Sequence, residues 1–386
     1  MTSCLGNGLA PTLAALRAGR SGLAPCRFET VDLDTQVGEV AGVDAVQLAP
    51  ALSDYDCRNN RLAELALRQD GFDAAVRAAI GRHGSSRIGV FLGTSTAGIL
   101  QTELAYRRRD PATGALPSDF RYATHHNSYS VASFVRRRFA LAGPATVIST
   151  ACSSGAKVFA AAARLIAAGM IDAAIVGGVD SLCLTTLYGF NSLELLSAQP
   201  CRPFDAHRNG ISIGEAAGFI LLEAGSAAEG SVVLLGTGES SDAHHMSSPH
   251  PDGMGARLAM EAALASASLR PDDVDYINLH GTATQTNDAA EDKALIGVFG
   301  TGVPVSSTKG ATGHTLGAAG AIEAVICALA LTHGLLPGGG VNMQTPDPAL
   351  KSRYLIDNLE RPLRRVLSNS FGFGGTNCSL LFGLAA

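Results

Sequence analysis

The sequence predicts an α/β protein with one fold laid down twice: two mixed sheets sharing buried helices, in five layers, α/β/α/β/α. Three observations predict it. Short apolar runs alternate with helical patterns along most of the 386 residues, and strands apolar on both sides suit sheets covered on both faces. Val147-Ile-Ser-Thr150 returns as Val305-Ser-Ser-Thr308 and Gly155 as Gly313, each 158 residues on, with Gly214 falling on Gly372 at the same offset. Leu92-Gly-Thr-Ser-Thr96 is echoed by His280-Gly-Thr-Ala-Thr284, 188 residues on. Echoes in one order point to duplication. The halves divide as 1–225 and 226–386, and the two offsets put about 30 extra residues in the first copy, at roughly 100–141.

The elements follow in order. Strands are predicted at Ile88–Leu92, Thr146–Ser149, Ala173–Val176, Ala217–Leu222, Val232–Leu235, Tyr276–Leu279, Val303–Ser306 and Cys378–Phe382. These are short runs rich in Val, Ile, Leu and Phe. Helices are predicted at Leu62–Ile80, Gly155–Ala168, Ala256–Ala267, Ala289–Phe299 and Ala318–Leu331, where apolar residues recur at helical spacing or small apolar residues run on. Asp242 to Pro251 is polar and carries prolines, so it reads as a loop.

Composition narrows the function. The chain is 16% charged with net charge -5, which does not suit a nucleic-acid binder. No apolar run reaches the roughly 18 residues of a membrane span, and the N-terminus has no basic and apolar leader. The eight cysteines include no Cys-x-x-Cys pair and fit no zinc or disulfide framework. Seven read as small buried residues. A reducing, cytoplasmic setting is expected, with no metal.

The eighth is Cys152. Thr146-Val-Ile-Ser-Thr-Ala-Cys-Ser-Ser-Gly155 is a β-branched run, a small-residue turn and then an almost uncharged helix. A thiol at a helix N-terminus meets unpaired N–H groups and the positive end of the helix dipole, which favour thiolate. His314 lies in the matching turn of the second copy, Thr308-Lys-Gly-Ala-Thr-Gly-His314, and His280 ends the strand Tyr276–Leu279. Taken singly, a cysteine at a helix start and a histidine at a strand end are most often structural, and Gly372-Phe-Gly-Gly375 is a tight turn. Together, in matched turns of a duplicated fold, they make one site.

The motifs Thr150-Ala-Cys-Ser-Ser-Gly155, Cys201-Arg-Pro-Phe-Asp-Ala-His-Arg-Asn-Gly210, His280-Gly-Thr-Ala-Thr284, Ser307-Thr-Lys-Gly-Ala-Thr-Gly-His314 and Asn369-Ser-Phe-Gly-Phe-Gly-Gly-Thr-Asn377 resemble those of the β-ketoacyl-acyl-carrier-protein synthases of the thiolase superfamily. The resemblance covers residues 85 to 386 and implies the duplicated thiolase fold. It implies that Cys152 holds an acyl chain as a thioester, with its own N–H and that of Phe373 as oxyanion hole. It implies that His280 and His314 drive malonyl decarboxylation, that Lys309 and Glu291 form a supporting ion pair, and that Thr282 and Thr284 bind the phosphopantetheine arm. Phe371 and Phe373 resemble a mobile gate. No cofactor of the protein's own is implied, because the phosphopantetheine arrives on the carrier protein. The implied partners are acyl- and malonyl-loaded carrier protein and a second subunit, either an identical copy or a chain-length factor.

The pattern departs from the family in places. No apolar strand precedes Thr2–Gly8, so the first sheet is expected to be one strand short. Gly214-Glu-Ala-Ala-Gly218 carries Ala where Gly is commoner. The insertion holds Arg107-Arg-Arg109 and Arg136-Arg-Arg138, and either cluster could dock an acidic carrier or be a solvated face. Two other functions compete. A catalytically silent chain-length factor would lack Cys152. A thiolase would carry a second catalytic Cys where this chain has Gly-Phe-Gly-Gly. Leu182-Cys-Leu-Thr-Thr-Leu-Tyr-Gly-Phe190 resembles specialised synthases such as those of polyene pathways.

Overall fold

The structure, a computed structural model, describes residues 1–225 and 227–385. The first sheet is built from β1 (Thr2–Ser3), β2 (Gly6–Asn7), β3 (Ile88–Gly93), β4 (Ala145–Ile148), β5 (Ala173–Asp180) and β6 (Ala216–Glu223), in the order β2-β1-β6-β5-β3-β4. The second comprises β7 (Val232–Ser241), β8 (Tyr276–Asn278), β9 (Pro304–Ser306), β10 (Arg353–Tyr354), β11 (Arg365–Gly372) and β12 (Thr376–Leu384), in the order β7-β12-β11-β8-β9-β10. Pairing repeats as well: β4-β3-β5 and β9-β8-β11 are parallel, and β6 and β12 run antiparallel to their neighbours.

The helices are α1 (Leu9–Arg17), α2 (Arg58–Leu67), α3 (Phe72–His83), α4 (Ile99–Arg107), α5 (Ser130–Arg138), α6 (Ser154–Ala167), α7 (Leu184–Ser192), α8 (Met254–Ser266), α9 (Gln285–Phe299), the single turn α10 (Lys309–Thr312) and α11 (Ala319–His333). Alternate strand residues face opposite ways, which sorts the core into layers. Ile88, Val90 and Leu92 pack outward against α2, α3 and α5. Phe91, Val176, Tyr276 and Val366 pack inward around α6 and α11. Ile277, Leu279 and Leu367 pack outward against α8 and α9. These are the five layers expected. α6 and α11 cross at the centre. The helical stretch Leu316–His333 has the length and apolar composition of a membrane span, against the sequence reading, but 83% of it is buried, as befits a helix between two sheets.

Other details differ from the sequence reading. The helix expected over Leu62–Ile80 is two, α2 and α3, broken at Asp70 and Gly71, both with positive φ. Asp70 uses the break to accept the N–H of Leu9 and to face the N-terminal amine. Strand β11 was not foreseen, because its buried Ser368, Asn369 and Ser370 hide an apolar pattern. The first sheet does have a strand beyond β6, but a two-residue one: β1 makes one pair with β6, Thr2 to Ala217, where β7 makes nine with β12.

Two echoes are corrected. Leu92 and His280 are not equivalent: Leu92 faces the outer helices, whereas His280 lies against His314, on the inner side. An even offset joins opposite faces here. Nor does Gly155 match Gly313. A Cβ on Gly155 would lie 2.9 Å from the nitrogen of Ala321, and one on Gly320 would lie 2.6 Å from that of Ala156. The contacts are reciprocal at a spacing of 165, so Gly155 matches Gly320 and α10 is an extra turn in the second copy.

Candidate active site

Cys152 sits in the turn between β4 and α6, and the chain reaches it through a strained residue, Ala151, at φ 51°. Ser154 Oγ accepts the N–H of Thr150 and donates to the carbonyl of Ala151, at 2.9 and 2.5 Å, so small hydroxyl residues hold the elbow. The thiol is 6% exposed. The N–H groups of Phe373 and of Cys152 itself act on the sulfur and favour its charged form. Burial pushes the thiol up to about 11, against the pull of Lys309 and of these two N–H groups. Cys152 therefore rests as a thiol, and the helix dipole alone does not ionise it.

His314 Nε2 lies 3.0 Å from Cys152 Sγ. The His280 ring stands across that of His314, centroids 5.4 Å apart and planes at 85°. Both histidines are 2% exposed. Burial, and then the charge of Lys309, drive both imidazoles well below their ordinary pKa, so both are neutral and each can offer an N–H. The side chains of Cys152, His280 and His314 lie within 4.8 Å of one another. By type the three could ligate a soft cation such as zinc, but a metal there would tie up the thiol.

Each histidine is braced. His280 N and Gly281 N donate to the two oxygens of Glu291, at 2.9 and 2.8 Å. His314 N donates to Ser212 O at 2.8 Å, and its carbonyl accepts Gly214 N at 3.0 Å. Lys309 and Glu291 do not form the expected ion pair. Lys309 Nζ is 2.5 Å from Glu323 Oε1, the one charged side chain of α11. Glu291 binds backbone N–H groups and Asn369 Nδ2 instead. Burial lifts Glu291 to about 7, because few groups besides those N–H donors favour its charge.

The pocket over these groups is lined by Thr282, Thr284, Phe371, Phe373, Phe190 and Ser248, among others. Thr282 and Thr284 hydroxyls are 3.0 Å apart, and Thr284 also caps α9. Phe371 meets the His280 ring edge-on at 5.9 Å and Phe373 faces Phe190 at 5.7 Å. Gly374 N donates to Met246 O at 2.7 Å, which ties the Gly-rich turn to the loop over Asp242–Pro251. All expected site residues thus meet at one place, with Glu291 in a different role. The sequence reading missed Glu323, Ser212, Asn369 and Asp180; a single charge in the apolar α11 and another at the end of the all-apolar β5 were the available signals.

The two arginine clusters differ. Arg138 pairs with Glu64 and Asp73 and is 12% exposed, and Arg137 lies over the Tyr55 ring. Arg138 thus holds α5 against α2 and α3, while Arg137 stays exposed. Arg107 to Arg109 are exposed.

A thiol at a helix start, two neutral imidazoles beside it and backbone donors at the sulfur define an acyl-transfer site of the thioester-condensing class. The family models agree: the Beta-ketoacyl synthase N-terminal domain matches residues 1–228 and the C-terminal domain residues 231–339. The chain belongs to the β-ketoacyl synthase family, an acyltransferase family with the thiolase fold. It is 34% identical over 409 aligned residues, 99% of this chain and 96% of the other, to "3-oxoacyl-[acyl-carrier-protein] synthase 2" of Vibrio cholerae. It is 42% identical over 269 residues, 64% of this chain and 58% of the other, to the mitochondrial 3-oxoacyl-[acyl-carrier-protein] synthase of Arabidopsis thaliana. Among solved structures, the ketosynthase ApeO of Xenorhabdus doucetiae, in complex with its chain length factor ApeC, matches with a TM-score of 0.90 and 39% identity, over 99% of this chain and 96% of that one.

Proposed function

We propose that this chain is an elongating 3-oxoacyl-acyl-carrier-protein synthase. The observation that carries the reading is the 3.0 Å approach of His314 Nε2 to Cys152 Sγ, with His280 beside it. The thiol attacks an acyl thioester, its proton leaves with the carrier thiol, and the two N–H groups at the sulfur hold the tetrahedral oxyanion. Malonyl-carrier then enters. Neutral His280 and His314 donate to its thioester oxygen, where negative charge grows as carbon dioxide leaves. The enolate carbon attacks acyl-Cys152, the C–S bond breaks, and a 3-oxoacyl product two carbons longer departs on the carrier. A silent chain-length factor would have no use for the thiol.

The carrier brings the phosphopantetheine, and Thr282 and Thr284, which line the pocket, accept its amides. Phe371 and Phe373 gate the acyl side. For the second subunit we favour a chain-length factor over an identical copy, since the ketosynthase from Xenorhabdus doucetiae, 39% identical to this chain, was solved with one. The test is intact-mass spectrometry after offering acyl-carrier proteins of graded length. A mass gain equal to the acyl group, lost in Cys152→Ala, supports the reading; no gain with any chain length refutes it.

A further inference from the structure

The site around Cys152 has a counterpart in the second copy. The spacing of 165 that relates Gly155 to Gly320 relates Ala151 to Leu316, and both have φ 51°. It places Gly317 where Cys152 stands. The second copy therefore keeps the strained elbow and the N–H that follows it, but has no thiol. What faces that N–H is Asp180, the last residue of β5, the strand that occupies in the first sheet the place β11 occupies in the second. Phe373, whose N–H serves Cys152, directly follows β11.

Asp180 is fully buried. Oδ2 accepts Gly317 N at 2.5 Å. Oδ1 accepts Thr94 Oγ1 and Ser95 N at 2.7 Å and Thr96 N and Oγ1 at 2.9 Å. Burial pushes the carboxyl pKa up, yet all five contacts are donors, and an array of donors alone is built for the ionised form. A Cβ on Gly317 would lie 2.8 Å from Asp180 Oδ2 and 2.8 Å from Ser95 Oγ, so the carboxylate fills the space a side chain would need. His314 is three residues before Gly317. That segment is held by Ser212 and Gly214 at one end and by Asp180 at the other.

We propose that Asp180 is a permanent anion seated in a silent second copy of the oxyanion cradle, and that through Gly317 it positions His314 for enolate stabilisation. The positioning rests on the role of His314 given above. A carboxylate in the first half thereby sets the geometry of a catalytic group in the second.

The test measures malonyl-carrier decarboxylation and, separately, the pH profile of Cys152 alkylation by iodoacetamide. His280, His314, Lys309 and Asp180 act on the thiol, and Asp242 lines the same pocket. Asp180→Asn should lower the decarboxylation kcat at least tenfold with KM within twofold, and should move the alkylation profile to lower pH by removing a negative charge. Gly317→Ala crowds the carboxylate but keeps its charge: kcat should fall and the profile should stay. Folded Asp180→Asn with wild-type kcat and profile overturns the proposal. Should Asp180→Asn not fold, Gly317→Ala and Thr94→Val decide it, and wild-type kcat in both overturns it. A wild-type protein that forms no acetyl-carrier would refute the functional reading instead, and the alkylation shift in Asp180→Asn would then decide on the anion.

Discussion

Lys309 and Glu323 face each other as a buried ion pair, 1% and 2% exposed, and this pair joins the extra turn α10 to the central helix α11. A buried charge left alone is strongly destabilising, by about 3–5 kcal/mol. Glu323→Gln should therefore lower stability by that order, and Lys309→Met in the same chain should restore much of it. Glu291→Gln keeps an oxygen for only part of its backbone donors and should not couple to Lys309. Urea unfolding of both double-mutant cycles checks this. A larger coupling of Lys309 to Glu291 than to Glu323 would contradict the pairing.

The two histidines set the response to acid. An unfolded histidine takes its proton near pH 6.5, while burial and Lys309 keep His280 and His314 neutral well below that. Below pH 6.5 the unfolded chain binds two protons that the native chain refuses, so stability falls with pH by up to about 1.4 kcal/mol per unit for each histidine. Glu291 opposes this. Raised from 4.5 to about 7, it keeps a proton in the native state that the unfolded chain has lost, so its contribution fades as pH rises through that window. The share of the two histidines is acid lability below pH 6.5. His280→Asn with His314→Asn should flatten it; an unchanged slope in unfolding free energy from pH 7 to 5.5 would refute the assignment.

Much of this site was legible in the sequence because its signals are local: a cysteine between a β-branched run and a helix, a histidine at a strand end, glycines in a tight turn. The partner of Lys309 was not. Glu291 stands among Asp288, Asp292 and Lys293 while Glu323 stands alone in an apolar helix, and only the packing of α11 against α10 brings Glu323 to the ammonium. The repeat was visible, but its register was not. Leu92 and His280 match as letters, and a strand's two-residue period puts them on opposite faces. β11 was missed because it carries buried Ser368, Asn369 and Ser370, whose partners, such as Ser379 for Asn369, come from elsewhere in the chain.

Separation of the two half-reactions follows from the division of labour. Cys152→Ala removes the acyl attachment and should abolish condensation, since acyl transfer needs the sulfur. Cys152→Gln should leave or raise malonyl decarboxylation, since His280 and His314 remain. Product analysis by mass spectrometry distinguishes them: any 3-oxoacyl product from Cys152→Ala, or loss of decarboxylation in folded Cys152→Gln, would break the scheme.

The arginine clusters should respond in opposite ways. Arg138→Glu sets a negative charge against Glu64 and Asp73, both its partners at 2.5 Å. It should lower the melting temperature and, where the protein folds, leave KM for the carrier unchanged. Arg107→Glu with Arg109→Glu alters an exposed face. Melting should stay near wild type and, if that face docks an acidic carrier, KM should rise at low salt and less so at high salt. Equal KM at low salt removes Arg107–Arg109 from carrier docking.

Two glycine-to-alanine changes separate helix propensity from packing. Alanine is favoured over glycine inside a helix by about 1 kcal/mol. At Gly81, in α3, a Cβ meets nothing within 4 Å, so Gly81→Ala should stabilise by that amount. At Gly155, in α6, the same Cβ would lie 2.7 Å from Gly317 O and 2.9 Å from Ala321 N. These are backbone atoms of α11 and of the turn leading into it and cannot swing aside, so α6 and α11 must part. Overpacking of this kind costs about 1–3 kcal/mol and exceeds the propensity gain. Because the displaced segment is the one that carries Gly317, Gly155→Ala should also slow decarboxylation, while Gly81→Ala should not. Thermal melts and decarboxylation rates of the two variants give the comparison, and a stabilised, fully active Gly155→Ala would show that the two helices are not in close contact there.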